Sequence, residues 1–287
     1  MINLKLNHRT TYNYRKPVAL GPHRMMLRPR ERHDLKLLAY NMVVSPDAFV
    51  TWAQDVFGNT VATASFPTMS TRLVIDSYAE IQLEAAPWPV FDIAPSAINY
   101  PFRYSDADWT DLGALATQQY ADPTGRLRDW ARGFVSGSQT DTLSLLKDLS
   151  TGVSSWIKYQ SRDDEGTQSP IETLDRGWGS CRDFAVLLVE AARSLGFGAR
   201  IVSGYLYNPD RDFVGSTGVG STHAWAEIYL TGAGWITFDP TNRNVGSFNL
   251  IPVGVARNVR QVMPVTGSFN GMTDAFLGMS VEVLISQ

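Results

Sequence analysis

Residues 175–196 read Asp-Arg-Gly-Trp-Gly-Ser-Cys-Arg-Asp-Phe-Ala-Val-Leu-Leu-Val-Glu-Ala-Ala-Arg-Ser-Leu-Gly, a glycine-marked turn running straight into a helical pattern. Phe184, Leu187, Leu188, Ala191, Ala192 and Leu195 recur at the three- and four-residue spacing of a helix with one buried face, and Gly196 is its stop signal. Cys181, the only cysteine in 287 residues, stands at or just before the helix N-terminus. Unpaired N–H groups and the helix dipole favour an anion there. Such a setting lowers a thiol pKa and raises the fraction of reactive thiolate. A lone intracellular cysteine is also commonly a small buried hydrophobe, so this segment alone leaves both readings open.

Residues 221–242 shift the balance towards chemistry. Trp225, Ile228, Tyr229 and Leu230, then Trp235, Ile236 and Phe238, are strand-like, and Thr-Gly-Ala-Gly at 231–234 is a turn signal. The spacing predicts a β-hairpin in which His223 opens the first strand and Asp239 closes the second. Position 231 is midway between them, so pairing sets imidazole and carboxylate side by side to within a residue or two of register. A carboxylate holds an imidazole in one tautomer and stabilises its charged form. A thiolate nucleophile needs that partner for proton transfer.

These three segments resemble a known group. Gly-Ser-Cys-Arg-Asp-Phe-Ala, His-Ala-Trp-Ala-Glu-Ile-Tyr and Gly-Trp-Ile-Thr-Phe-Asp-Pro-Thr-Asn look like the three boxes of the transglutaminase-like superfamily, in the same order. More narrowly, Tyr12, Tyr14, Pro17 and Val18, then Gly21–Arg24 and Leu27–Arg30, are similar to the β-rich N-terminal region of bacterial transglutaminase-like proteins often labelled cysteine-protease candidates. The resemblance implies an α+β protein: a papain-like, transglutaminase-like core with the cysteine on a helix N-terminus against an antiparallel sheet, plus an N-terminal β-sandwich. It implies a triad of Cys181, His223 and Asp239. It leaves open whether the acyl group passes to water or to an amine.

Composition narrows the classes. Hydrophobic residues make up 44% and charged residues 18%, as in ordinary soluble proteins. A formal net charge of −3 indicates no broad basic surface for nucleic acid. Arg24, Arg28, Arg30 and Arg32 form a local basic cluster, read as a solvated or salt-bridged strand face. One cysteine excludes an internal disulfide framework and a thiolate metal cluster. His8, His23, His33 and His223 lack the short spacing of a zinc site. Asp210 and Asp212 sit in a loop without the dense Asp/Asn pattern of a calcium loop, so no metal or other cofactor is expected. No apolar run approaches the length of a membrane span, and the alternating N-terminus is strand-like rather than a signal peptide, so a cytoplasmic setting is expected.

The expected organisation is a β-sandwich over 1–85, a connecting helical segment over 86–139, the core over 140–255 and a C-terminal extension over 256–287. Within it, Asp106 and Asp108 are candidate N-caps. Thr140–Trp156 reads as a helix with Leu143, Leu146, Leu149, Val153 and Trp156 on one side. Met279, Val281, Val283 and Ile285 alternate like a strand that could return to the N-terminal region. The 208–220 segment, rich in glycine and aspartate, is the expected gate on the approach to His223. The backbone N–H of Cys181 is a natural oxyanion donor. Gln168, Tyr159 and Trp178 are candidates for a second, and Trp225 is a candidate wall of the acyl site or a buried hairpin aromatic. The expected partner is a peptide or protein amide substrate. Hydrolysis is favoured, with protein-glutamine transamidation and a non-catalytic scaffold as alternatives. Oligomeric state is not legible.

Overall fold

The computed structural model describes residues 1–161, 166–209, 214, 220–272 and 274–287. An N-terminal β-sandwich and a mixed α+β core make up the molecule. In one sheet of the sandwich the long strand Ile2–Leu20 lies between Met69–Leu83 and Phe276–Ser286, with Leu35–Ser45 outermost beyond Met69–Leu83. The second sheet runs Val265–Thr266, His23–Met25, Thr60–Ser65, Phe49–Gln54. Val18, Leu20, Met25, Ala64, Leu73 and Ile75 fill the space between them. Chain from both ends of the sequence therefore builds this region, with Lys5–Asn13 in antiparallel register with Ser286–Gly278.

The core sheet is antiparallel throughout, ordered Asn244–Val245, Gly234–Asp239, Gly220–Leu230, Ala199–Tyr207, Leu250–Ala256. Helix Cys181–Ser194 lies across strands Gly220–Leu230 and Ala199–Tyr207, flanked by helices Arg126–Arg132, Thr142–Trp156 and Pro170–Arg176. The apolar interior is continuous: Leu4, Leu6 and Ile81 of the first sheet share one cluster with Phe184, Leu188 and Ile201. Strand Ile2–Leu20 alternates inward through Leu4, Leu6, His8 and Thr10, so its polar inward residues must be satisfied inside that seam. His8 does this by bonding Thr10 Oγ1 at 2.8 Å and the buried Tyr205 hydroxyl at 3.0 Å.

Several local expectations are corrected. Ser105, not Asp106 or Asp108, caps helix Asp106–Leu112, its hydroxyl accepting from Asp108 N at 3.0 Å; both aspartates lie in the first turn, where they face the helix dipole favourably. Trp156 is 67% exposed, because the last residue of its helix has run past the edge of the core and Ile157 takes the inward place. Leu145 joins Leu146, Leu149 and Val153 in the buried face, while Leu143 is only partly covered. In Phe276–Ser286 only Ile285 of the four alternating residues is buried, since the strand borders the sheet beyond the area its neighbours cover. The basic cluster is largely consumed internally: Arg24 faces Asp55, Arg30 donates to Phe57 O and Asn59 Oδ1, and Arg32 reaches Asp34 and Glu227.

Burial pulls the pKa of His8 down to about 4, against a smaller upward pull from Asp76. The unfolded ring titrates near 6.5, so between these values the unfolded chain binds more protons than the folded one. The contribution of neutral His8 is therefore complete above pH 6.5 and is lost as pH falls towards about 4, at most about 3 kcal/mol. Urea unfolding at pH 7 and pH 4 should show this loss in the wild type and a smaller one in His8→Gln. Equal losses in both would exclude His8 as the cause.

Candidate active site

Helix Cys181–Ser194 starts where it does because Asp183 closes its N-terminus. One carboxylate oxygen accepts from Ser180 N at 2.8 Å and Ser180 Oγ at 2.9 Å; the other accepts from Gln168 N at 2.7 Å. The two glycines before the cysteine have separate causes. Gly177 ends helix Pro170–Arg176 in the left-handed region, φ 68°. A Cβ on Gly179 would stand 2.9 Å from the Asp183 Cβ, so a side chain there would displace the capping carboxylate. Trp178–Gly179 then pairs in parallel with Lys158–Tyr159, setting Tyr159 beside the start of the helix. As the first helical residue, Cys181 has a backbone N–H with no intrahelical acceptor.

His223 lies in Gly220–Leu230, the middle strand of the core sheet, and is 3% exposed. Its Nε2 is 2.9 Å from Asp239 Oδ2. The register differs slightly from a hairpin centred on 231: Ala226 opposes Phe238, which puts Asp239 level with Trp225 rather than His223. His223 and Trp225 share a face two residues apart, so His223 and Asp239 are diagonal neighbours and still meet. Asp239 is fully satisfied, its Oδ1 accepting from Thr241 N at 3.0 Å and its Oδ2 also from Asn242 Nδ2 at 2.8 Å. Sequence reasoning passed over Asn242, although the turn pattern Asp-Pro-Thr-Asn carried the signal, since an aspartate commonly binds the backbone two residues on.

Trp225 is fully buried and stacks on the His223 ring, centroids 6.0 Å apart at 29°. Gly204 makes room for it, because a Cβ there would stand 2.8 Å from the indole. Trp225 thus backs the imidazole instead of lining open space. Trp178 carries the Arg176 guanidinium 5.6 Å above its ring. Gln168 is buried, and neither polar atom of its side chain has a partner among the described residues. Tyr159 packs edge-on against Phe184 at 6.1 Å. The expected gate at 208–220, with Asp210 and Asp212, lies outside the described residues except for 208, 209, 214 and 220.

Residues 128–240 match the family model of the transglutaminase-like superfamily, and residues 4–82 match that of the bacterial transglutaminase-like N-terminal region. The chain thus carries a transglutaminase-like core behind a bacterial transglutaminase-like N-terminal region. It is 27% identical over 292 residues to an uncharacterized protein of Mycobacterium leprae (strain TN), an alignment covering 99% of each chain. A 69-residue stretch is 33% identical to the uncharacterized Bacillus subtilis (strain 168) protein YebA, covering 22% of this chain and 9% of that one. The crystal structure of a cysteine-protease candidate from Cytophaga hutchinsonii superposes with a TM-score of 0.76 at 19% identity, covering 99% of this chain and 91% of the other. That likeness is one of fold. No helix among the described residues is long and apolar enough to cross a membrane.

The electrostatics of this transglutaminase-like core favour charge on all three groups. Burial pushes the Cys181 thiol up, but the hydrogen bond and charge of His223, the Ala224 backbone and the Arg182 charge together bring it below the ordinary 9.0. Burial pulls His223 down, yet Asp239 and then Cys181 raise it to about 10. Burial would lift the Asp239 carboxyl, and His223, Asn242 and Thr241 hold it below its ordinary value. His223 Nδ1, the ring nitrogen not bound to Asp239, makes no hydrogen bond of standard geometry among the described residues. Tyr159 is pushed up to about 12, first by burial and then by the charge of Cys181.

Iodoacetamide alkylation of Cys181 should therefore titrate below the free-thiol value. Asp239→Asn removes the largest upward influence on His223, so the thiol should titrate higher and alkylation at pH 6.5 should slow about tenfold or more. A wild-type thiol that titrates normally, unchanged by Asp239→Asn, would break the coupling.

Proposed function

We propose that this protein is a thiol-dependent acyl-transfer enzyme that hydrolyses peptide or isopeptide-like amide bonds. The observation that carries the reading is the buried His223–Asp239 contact beside a thiol whose pKa is depressed. The Cys181 thiolate attacks the amide carbonyl carbon, and the carbonyl oxygen takes up negative charge. The imidazolium of His223 gives its proton to the departing nitrogen, so the C–N bond breaks and a thioester remains. Water then gives a proton to His223 and attacks the thioester, releasing the carboxylic acid and restoring the thiolate. Asp239 orients the ring and stabilises its charged form throughout.

The Cys181 backbone N–H, at a helix start, is suited to the developing oxyanion. Gln168 supports the reading as a second donor, because a buried amide without a partner is costly unless it is used. Tyr159 stays protonated at neutral pH and can position substrate from the other side.

Water is preferred over an amine as acceptor on grounds of charge. The charge of Arg182 acts on Cys181, so an incoming protonated lysine meets like charge there. The reading keeps the cytoplasmic setting expected from the sequence, where a reducing medium holds a lone thiol free. Transamidation shares every step up to the thioester. Incubation of a glutamine- or lysine-linked peptide with excess lysine analogue should yield mainly free acid from the wild type and nothing from Cys181→Ala. A dominant cross-linked product would make the enzyme a transamidase. No turnover of any amide, with an ordinary thiol titration, would make it a scaffold.

A further inference from the structure

A cleft of about 390 Å³ is lined in part by Phe184 and Asn242, neighbours of Cys181 and Asp239. Its apolar floor is formed by Ile157, Tyr159, Phe184 and Val214. Phe184 is one helical turn from Cys181, and Asn242, which binds Asp239, lies on the opposite wall. The cleft thus adjoins residues next to the candidate triad, a position suited to the chain of an acyl donor.

Two groups in it have no structural employment that accounts for them. Thr241 is 6% exposed, yet its Oγ1 has no hydrogen-bond partner among the described residues. Arg243 has φ 57°, the one positive φ at a non-glycine residue among those described. A bulky side chain is strained in that region, and such strain persists where the surroundings enforce it, often at ligand sites. Its guanidinium is fixed on one side only: Nε donates to Ser154 Oγ at 2.8 Å and Nη2 to Ser154 O at 3.3 Å. Ser154 Oγ in turn donates to Thr151 O, so the serine cannot rotate away without breaking a bond. The Nη1 end has no hydrogen bond, and Arg243 makes no ion pair, among the described residues. Capping the C-terminus of helix Thr142–Trp156 explains the bonds to Ser154. It does not explain a cation without an ion pair among the described residues, held at an apolar cleft that adjoins the neighbours of Cys181 and Asp239.

We propose that Arg243 is a specificity-determining residue that pairs with a carboxylate on the acyl-donor side of the substrate, so that the enzyme prefers acidic peptides, with Thr241 hydrogen-bonding the same chain. The assignment rests on the acyl-transfer reading of Cys181 and goes beyond it by naming the substrate class. A planar guanidinium with one edge free matches a carboxylate better than a neutral amide, and charge-assisted bonds are about twice as strong as neutral ones.

Tripeptidyl vinyl sulfones test this: acetyl-capped alanine peptides carrying Glu, Gln or Lys at each position in turn. The Cys181 thiolate adds to the vinyl carbon and the imidazolium proton passes to the carbon next to the sulfone, so the rate reports binding and thiolate reactivity without a leaving group. At one position the Glu probe should alkylate Cys181 about tenfold faster than Gln, with Lys slowest, and the gap should narrow in 0.5 M NaCl. Arg243→Gln should erase the Glu advantage, Arg243→Lys should keep part of it, and Arg243→Glu should reverse it towards Lys; a capping role would move stability and not this order. Equal rates for the three probes at every position overturn the proposal. Calorimetric titration of Cys181→Ala with the same peptides as carboxamides decides the charge preference even if the thiol is inert. Selective binding without alkylation would defeat the acyl-transfer reading and leave this one standing, whereas alkylation without selectivity does the reverse.

Discussion

The site depends on one interaction, the bond between His223 Nε2 and Asp239 Oδ2 across the two strands of the hairpin. Both groups are almost completely removed from water, and an isolated buried carboxylate would take a proton rather than stay charged. Asp239 remains an anion because it accepts from the ring, the Asn242 side chain and the Thr241 backbone, all supplied within three residues by its own turn or from the adjacent strand. The anion holds a proton on the imidazole, and the imidazolium favours the thiolate. The order of cause runs from the Asp-Pro-Thr-Asn turn to the sulfur.

That bond requires a particular register, and the register is held at the hairpin's tip. Gly232 and Gly234 have φ 90° and 73°, which suits glycine at the turn. A Cβ on Gly232 would lie 2.6 Å from Asp92 O and Ala94 N, so the connector after the N-terminal sheet presses on the turn. Ala94 N also donates to Thr231 O at 2.9 Å. The chain at Asp92–Ala94 is thus a clamp on the turn. A slip of one residue in either strand would carry Asp239 to the opposite face and end the contact, whereas the observed displacement from a hairpin centred on 231 keeps the face and changes only a direct pair into a diagonal one.

The parts legible in sequence were those whose physics is local. Helix Cys181–Ser194 follows from apolar spacing, the glycines before it and the Ser180/Asp183 closure, all inside one short segment. Strand Ala199–Tyr207 and the His223–Asp239 hairpin follow from β-branched and aromatic runs about a turn. What local pattern could not supply was the extent of the covering layer. Trp156 keeps the helical period of Val153 and Leu149 yet projects past the core, and Met279 and Val281 keep the strand period of Ile285 on a strand bordered by water. Arg243 carries no sequence signal at all, because its significance comes from its backbone conformation and from Ser154, 89 residues away.

The N-terminal region is likewise more than an appended module, and the reason is the edge of the core sheet. Leu250–Ala256 borders that sheet, and an exposed apolar border strand would invite pairing with another chain. Asn59 blocks it, donating from Nδ2 to Val255 O at 2.8 Å and accepting from Val255 N at 2.9 Å, as a neighbouring strand would. Arg30 N adds a bond to Pro252 O at 2.7 Å. Arg32 and Arg200 close on Glu227, and His8 closes on Tyr205, one register position from Gly204, which opposes His223. Strands Leu250–Ala256, Ala199–Tyr207 and the histidine's own Gly220–Leu230 are therefore braced by residues of the first 60 positions. The sandwich braces the core sheet, and the hairpin supplies the charge relation that holds the thiol pKa below its ordinary value.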